Sequence, residues 1–305
     1  GIEVGSLFLL FVARTAAGIA AANFSIAQAT IADVTAPHER AKNFGIIGAA
    51  FGLGFIVGPL LAGWITALTS DPATPFWVAS ALGVVNMLMV TFFLDETRPA
   101  TKEAHRFSIW KGIANVRAAL KDVDARPVYL ANFLYMSGFF FFNTLIGILL
   151  VSSFGFTAAS VGTFFGVVGA CVVVTQLGIL RIVAKRFGER TVVRISIPVA
   201  AVAVALYPFA PSAWVAFALI PLFAVSQGLT MANLTALISR GVSAEKQGTA
   251  LGISSSLVAL AQGVIPLVAG LMSSAVGLTM PFLAGGALML GAWYVLFGMF
   301  RGTAT

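Results

Sequence analysis

"GLGFIVGPLLAGW", residues Gly52 to Trp64, sets four glycines and a proline into an otherwise apolar run. A glycine costs a helix interior about 1 kcal/mol and a proline about 3 kcal/mol, so the run must gain something from them. A second copy shows the scale on which to look. "ERAKNFGIIGAAFGLGFIVGPLLAG" from Glu39 aligns, with one residue of slack, with "EKQGTALGISSSLVALAQGVIPLVAG" from Glu245. At an offset of 207 residues Gly45 pairs with Gly252, Pro59 with Pro266 and Gly63 with Gly270. A long match at so wide a spacing reports a duplicated structural unit.

Composition identifies the medium of that unit. Apolar residues make up 59% of the 305 positions and charged residues 10%, against roughly 25% charged in soluble domains. That is the composition of a membrane protein. Nine apolar stretches reach the length of about 20 residues that a bilayer crossing needs: 6–32, 44–68, 75–94, 128–151, 160–180, 192–210, 213–238, 247–272 and 280–300. None alternates as barrel strands do, so all nine are expected to be helices. The one cysteine, Cys171, forms no internal disulfide, and His38 and His105 lie in charged segments. Neither a metal centre nor a cofactor is expected.

Charge sets the topology. Of the 18 lysines and arginines, 17 fall in segments on one side of the nine spans and none on the opposite side. The positive-inside rule makes the basic side cytoplasmic, with the last residue inside. The net charge of +7 then reflects topology and anionic lipid headgroups, and no nucleic-acid partner is called for. Both copies of the repeat run outward from the cytoplasm, so they are parallel repeats about an axis along the membrane normal. Six helices separate the copies, which predicts an all-α bundle of two six-helix halves. Residues 128–305 make a complete C-terminal half, 95–127 a cytoplasmic linker and 1–94 the last three helices of the N-terminal half. Counting 207 residues back from 128 lands about 80 positions before Gly1, so the chain reads as a fragment lacking three helices. In the linker, Ile109, Ile113, Val116, Leu120 and Val123 share a face, which suits an amphipathic helix on the inner membrane surface or a soluble linker helix.

The opening stretch resembles the antiporter motif GxxxGPxxGG of the major facilitator superfamily. Gly54, Gly58, Pro59 and Gly63 match it, and Ala62 stands where a glycine is usual. "IADVTAPHERAKNFG" before it and "LDET" at Leu94 to Thr97 read like the tetracycline-efflux branch of the twelve-helix drug:proton antiporters. "RFGER", Arg186 to Arg190, is similar to the second copy of the family's cytoplasmic gate motif, which points to Arg186, Gly188 and Arg190, with Asp33 and Arg40 on the other half. "RTAAG", Arg14 to Gly18, resembles the fourth-helix motif whose arginine is linked to proton coupling. The resemblance covers the whole chain and implies a monomeric secondary transporter of the bacterial inner membrane, exporting small amphipathic compounds against protons by alternating access. The tetracycline pumps carry a histidine and an aspartate mid-membrane in their second half; this sequence has neither, so the likeness implies the class of compound and not tetracycline itself.

The residues themselves carry several candidates. Gly54, Gly58, Pro59 and Gly63 fit close helix packing of the small-xxx-small kind, either anywhere in a bundle or at the interface between the halves. Arg14 is the one basic residue within a span, roughly 12 Å below the outer end by helical rise. Unless it snorkels to the headgroups, it must face a wet interior; its face continues through Ser25 and Gln28. All eleven acidic residues lie at helix ends or in loops, so a proton carrier is expected outside this chain. Asn132, Tyr135, Phe139 and Asn143 share a face of one helix, and Gln227, Thr230 and Asn233 cluster on another. Uncharged polar groups among aromatics suit an amphipathic substrate, and interhelical packing is the alternative. An uptake permease of the same fold is the second functional reading. A receptor or structural membrane protein stands further off, and an intramembrane enzyme would need His, Asp or Glu clustered within the spans.

Overall fold

The computed structural model describes residues 40–94, 125–242 and 247–298, together with the isolated positions 9, 12, 13, 30 and 117. In chain order its helices are α1 (Arg40–Thr69), α2 (Thr74–Phe93), α3 (Arg126–Phe154), α4 (Ala158–Val174), α5 (Leu180–Arg186), α6 (Glu189–Leu206), α7 (Ala213–Arg240), α8 (Gln247–Val276) and α9 (Thr279–Phe297). A π turn, Thr175–Ile179, joins α4 to α5, and a 3₁₀ turn, Tyr207–Phe209, ends α6. Seven membrane-length apolar helices lie among the described residues. They match the expected spans from 75–94 to 280–300; α1 covers the expected 44–68 as a helix, and 6–32 lies outside the described residues.

The chain divides into two compact units. Described residues of the first are α1, α2 and Ala158–Gly166, the first nine residues of α4; the second holds α3, the chain from Val167 and α5 to α9. In the first unit, the turn between α1 and α2 is fixed by Asp71. Its Oδ1 accepts the Ala73 N–H at 2.9 Å and its Oδ2 the Thr74 hydroxyl at 2.7 Å. These bonds hold the carboxyl below its usual range, the Ala73 N–H contributing most. No residue of α2 is buried; a helix apolar all round and uncovered by protein is one that lipid can cover.

In the second unit, lipid is as apolar as leucine, so packing and hydrogen bonds hold the helices rather than water exclusion. Adjacent glycines on α9 show how closely they approach. A Cβ on Gly285 would lie 2.9 Å from the Gly138 carbonyl oxygen of α3, and one on Gly286 would lie 2.9 Å from that of Ala201 on α6. Successive residues point about 100° apart, so this pair serves two neighbours at once. Below them Phe142 meets Phe223 at 4.2 Å between ring centroids and Tyr207 at 5.0 Å, with Phe282 edge-on at 6.2 Å.

Proline inside a helix leaves the carbonyl four residues earlier without its donor. Pro198 does this to Arg194 within α6, and the Trp293 indole N–H of α9 donates to the Arg194 carbonyl at 2.9 Å. The helix is opened by one residue and closed by another 95 positions away.

Candidate functional site

The glycine-rich stretch is only partly a contact surface. A Cβ on Gly63 would lie 2.7 Å from the Ala158 carbonyl oxygen and 3.1 Å from Gly162 Cα; one on Gly162 would lie 2.6 Å from the Pro59 carbonyl oxygen. Leu60 fills the space over Gly166. The partner face is thus Ala158, Gly162 and Gly166, a small-xxx-small stripe on α4 that was legible in the sequence and was missed. Among the described residues nothing lies within 4 Å of a Cβ on Gly54 or Gly58, so the contact with α4 is made by Pro59 and Gly63. The reason is helical phase: Pro59 and Gly63 share a face, while Gly58 points about 140° and Gly54 about 180° away from Gly63.

The polar candidates of the second unit divide in the same way. Tyr135 is 0% exposed and Gln227 5%, and the Tyr135 hydroxyl donates to Gln227 Oε1. Thr230 donates to the Ser196 hydroxyl of α6 at 2.7 Å, and Asn132 donates to the Ser254 hydroxyl of α8 at 3.0 Å. Asn233 is buried and bonds the Leu229 carbonyl of its own helix at 2.7 Å. Asn132, Tyr135, Gln227 and Thr230 thus brace α3, α6, α7 and α8 against one another. Ser196 and Ser254 were not foreseen, because a serine in a membrane helix commonly bonds its own preceding turn, as Ser137 and Ser226 do here. Gln227 Nε2 is buried and has no hydrogen-bond partner among the described residues.

Phe139 is half-buried and stacks on Phe223, while Asn143 is exposed. The structure does not bring Asn143 together with Asn132 and Tyr135. It does give Asn143 a counterpart that the sequence reading passed over. Gln262, midway along α8, is also exposed, and Pro266 leaves the Gln262 carbonyl without its helical donor. The bond from Asn132 to Ser254 pins α3 to α8 at one level; both helices run the same way in the expected topology. Asn143 then stands roughly 16 Å and Gln262 roughly 12 Å beyond that level. An amide at such depth is costly against lipid and belongs to a wet or protein-filled face.

One end of the second unit gathers the cations. Tyr129 of α3, Ile238 of α7 and Ala250 of α8 pack together there, and Arg240 pairs with Glu189 of α6 at 2.9 Å. Of the gate candidates, Arg186, Gly188 and Arg190 are exposed near this pair. It is Glu189, between them, that forms the one ion pair found among the described residues. Arg14, Ser25, Gln28, Asp33 and most of the linker lie outside the described residues, as does the Arg40 side chain. Both described acidic residues, Asp71 and Glu189, sit at helix ends, and no metal-binding cluster is found among the described residues.

Apolar helices in glycine-mediated contact, with buried uncharged hydrogen bonds and cations gathered at one end, define an integral α-helical membrane protein. The sequence profile of the Major Facilitator Superfamily matches residues 2–263 and, in a second alignment, 128–304. The chain belongs to that superfamily, whose members are transporters of small molecules and not enzymes. It is 28% identical to the class C tetracycline resistance protein of Escherichia coli over 94% of this chain and 74% of the relative. With the class D protein of Salmonella ordonez the identity is 31%, over 86% of this chain and 65% of the relative. The solved structure of the human organic anion transporter MFSD10 (TETRAN) superposes with a TM-score of 0.69 at 25% identity, covering 90% of this chain and 67% of that one. The chain thus spans roughly two thirds to three quarters of the length of these relatives.

Proposed function

We propose that the intact protein is a proton-coupled exporter of small amphipathic compounds that works by alternating access. The observation that carries this reading is the contact of Pro59 and Gly63 with Ala158 and Gly162. It falls on the stretch resembling the antiporter motif, and it is made of backbone and small side chains, so the two helices can shift without breaking a hydrogen bond. The relatives named for tetracycline resistance support export over uptake. Phe139, Asn143 and Gln262 are the substrate-facing residues in this reading, an aromatic surface with uncharged amides that suits a neutral hydrogen-bonding group on an apolar body. The eleven acidic residues of this chain lie at helix ends or in loops, so none of them is the proton carrier in this reading. Arg14 acts as a fixed cation that favours the carrier's ionised form and keeps its own proton. The second half at 128–305, a cytoplasmic C-terminus, a bacterial inner membrane and a monomer complete the proposal.

The test is the sign of accumulation. Cells expressing the intact gene should hold less of a fluorescent amphipathic dye than cells without it, and an uncoupler that collapses the proton gradient should erase the difference. Greater accumulation would assign the protein to uptake instead, and a difference that survives the uncoupler would remove proton coupling.

A further inference from the structure

We propose that the hairpin formed by α5 and the start of α6 is a binding site for the phosphate headgroup of an anionic phospholipid. Arg181, Lys185, Arg186, Arg190 and Arg194 are all exposed there, and none forms an ion pair among the described residues. The one acid within the hairpin, Glu189, is taken by Arg240 from the neighbouring helix at 2.9 Å. Among the described residues, the five cations are therefore left with no acidic partner. Arg181 with Lys185, and Arg190 with Arg194, are spaced i, i+4, so each pair forms a row on its helix, and the short turn at Phe187 and Gly188 joins the two rows.

Apolar side chains are interleaved with the charges. Ile182 is 60%, Phe187 52% and Ile195 62% exposed. The membrane-length stretch of α4 and α5 ends at Val183, and the next begins at Glu189, so Lys185 and Arg186 lie between the two. Arg181, Arg190 and Arg194 lie near their ends beside Ile182 and Ile195, where a long side chain can carry its charge to the headgroups and leave its stem along apolar surface. A soluble acidic peptide or free phosphate would find the charges but not the apolar flank. A lipid satisfies both, since each Lys or Arg near an anionic surface adds attraction and its stem lies along apolar surface. This assignment does not depend on the direction of transport.

The experiment uses the purified intact protein in neutral detergent and native mass spectrometry of retained lipid, with phosphatidylglycerol against phosphatidylcholine as probes. The wild type should retain phosphatidylglycerol preferentially. Arg181→Gln, Lys185→Gln, Arg186→Gln and Arg190→Gln should each weaken that preference by about fivefold, and together abolish it. Arg126→Gln, an exposed cation at the start of α3 outside the hairpin, should leave it unchanged. Arg190→Lys keeps the charge and should keep the preference, which separates lost binding from lost folding. An unchanged preference in the Gln variants, or an equal loss in Arg126→Gln, would overturn the site. Displacement of the lipid by low-millimolar inorganic phosphate would assign it to a free anion.

Discussion

Two contacts, each between helices of one unit, are made in opposite ways. Where α1 meets the start of α4, Pro59 and Gly63 face Ala158 and Gly162, and backbone touches backbone. Where α3 meets α7 and α8, Tyr135 and Gln227, both buried, and Asn132 and the half-buried Ser254 are tied by directional bonds. The first is specific in shape and cheap to slide. The second is specific in chemistry, and parting it leaves polar atoms unsatisfied in an apolar medium. Motion is therefore expected at the glycine contact and rigidity within the polar seam.

The largest effect should come from filling the first contact. Gly63→Leu drives a side chain into the Ala158 carbonyl, and efflux should fall more than about tenfold with the protein still in the membrane. Gly58→Leu points away from α4, where a Cβ meets nothing within 4 Å among the described residues, and should keep efflux within about twofold. Dye export normalised to membrane protein reads both, and equal losses would erase the difference between the two faces. A middling effect is expected in the seam. Tyr135→Phe leaves Gln227 Oε1 without its donor and should cost about 1 to 2 kcal/mol, read as a lowered unfolding temperature in detergent. Adding Gln227→Leu to it should recover part of the loss, because both unsatisfied partners are then gone. A double variant worse than the sum of its singles would show that the bond is not what matters there.

The smallest effect lies at the α1–α2 turn. Asp71 is held below its ordinary pKa of 3.8, so its bonds to Ala73 and Thr74 contribute stability that is complete above that value and lost as pH falls through the lower, folded one. Asp71→Asn should therefore unfold slightly earlier than wild type at neutral pH, and the gap should close as the pH falls through the lowered, folded pKa. A gap that persists in acid would mean that the carboxylate charge is irrelevant to the turn.

Helix positions were legible because run length and hydropathy are properties of each segment alone. The expected span 213–238 became Ala213–Arg240, and 75–94 became Thr74–Phe93. The start of α3 came two residues early because Pro127 can occupy a first turn, where its missing N–H costs nothing. Partners were not legible. That Gly63 and not Gly58 is in contact depends on where α4 lies, and nothing within Gly52–Trp64 encodes that. Tyr135 and Gln227 could be named as polar, yet only their burial shows that they brace helices. Gln262 could have been found by asking which unpaired amide stands mid-helix beside a proline. Ser196 and Ser254 could not, since a serine's partner depends on the helix opposite.

The π turn at Thr175–Ile179 acts on register. Such a turn holds about one residue more than the α-helical turn it replaces, so the stretch from Ala158 to Arg186 carries a spare position. At its start Thr175 closes on the Cys171 carbonyl at 2.7 Å and rests its methyl where Gly228 leaves room. Everything beyond is phased differently from what precedes it. Delete one residue here and the helix would become regular, but Arg181 and Lys185 would turn by about 100°, away from the row they form beside Arg190 and Arg194. Upstream, the small residues facing α1 would stay where they are. One inserted residue thus sets the azimuth of the charges at the end of this stretch.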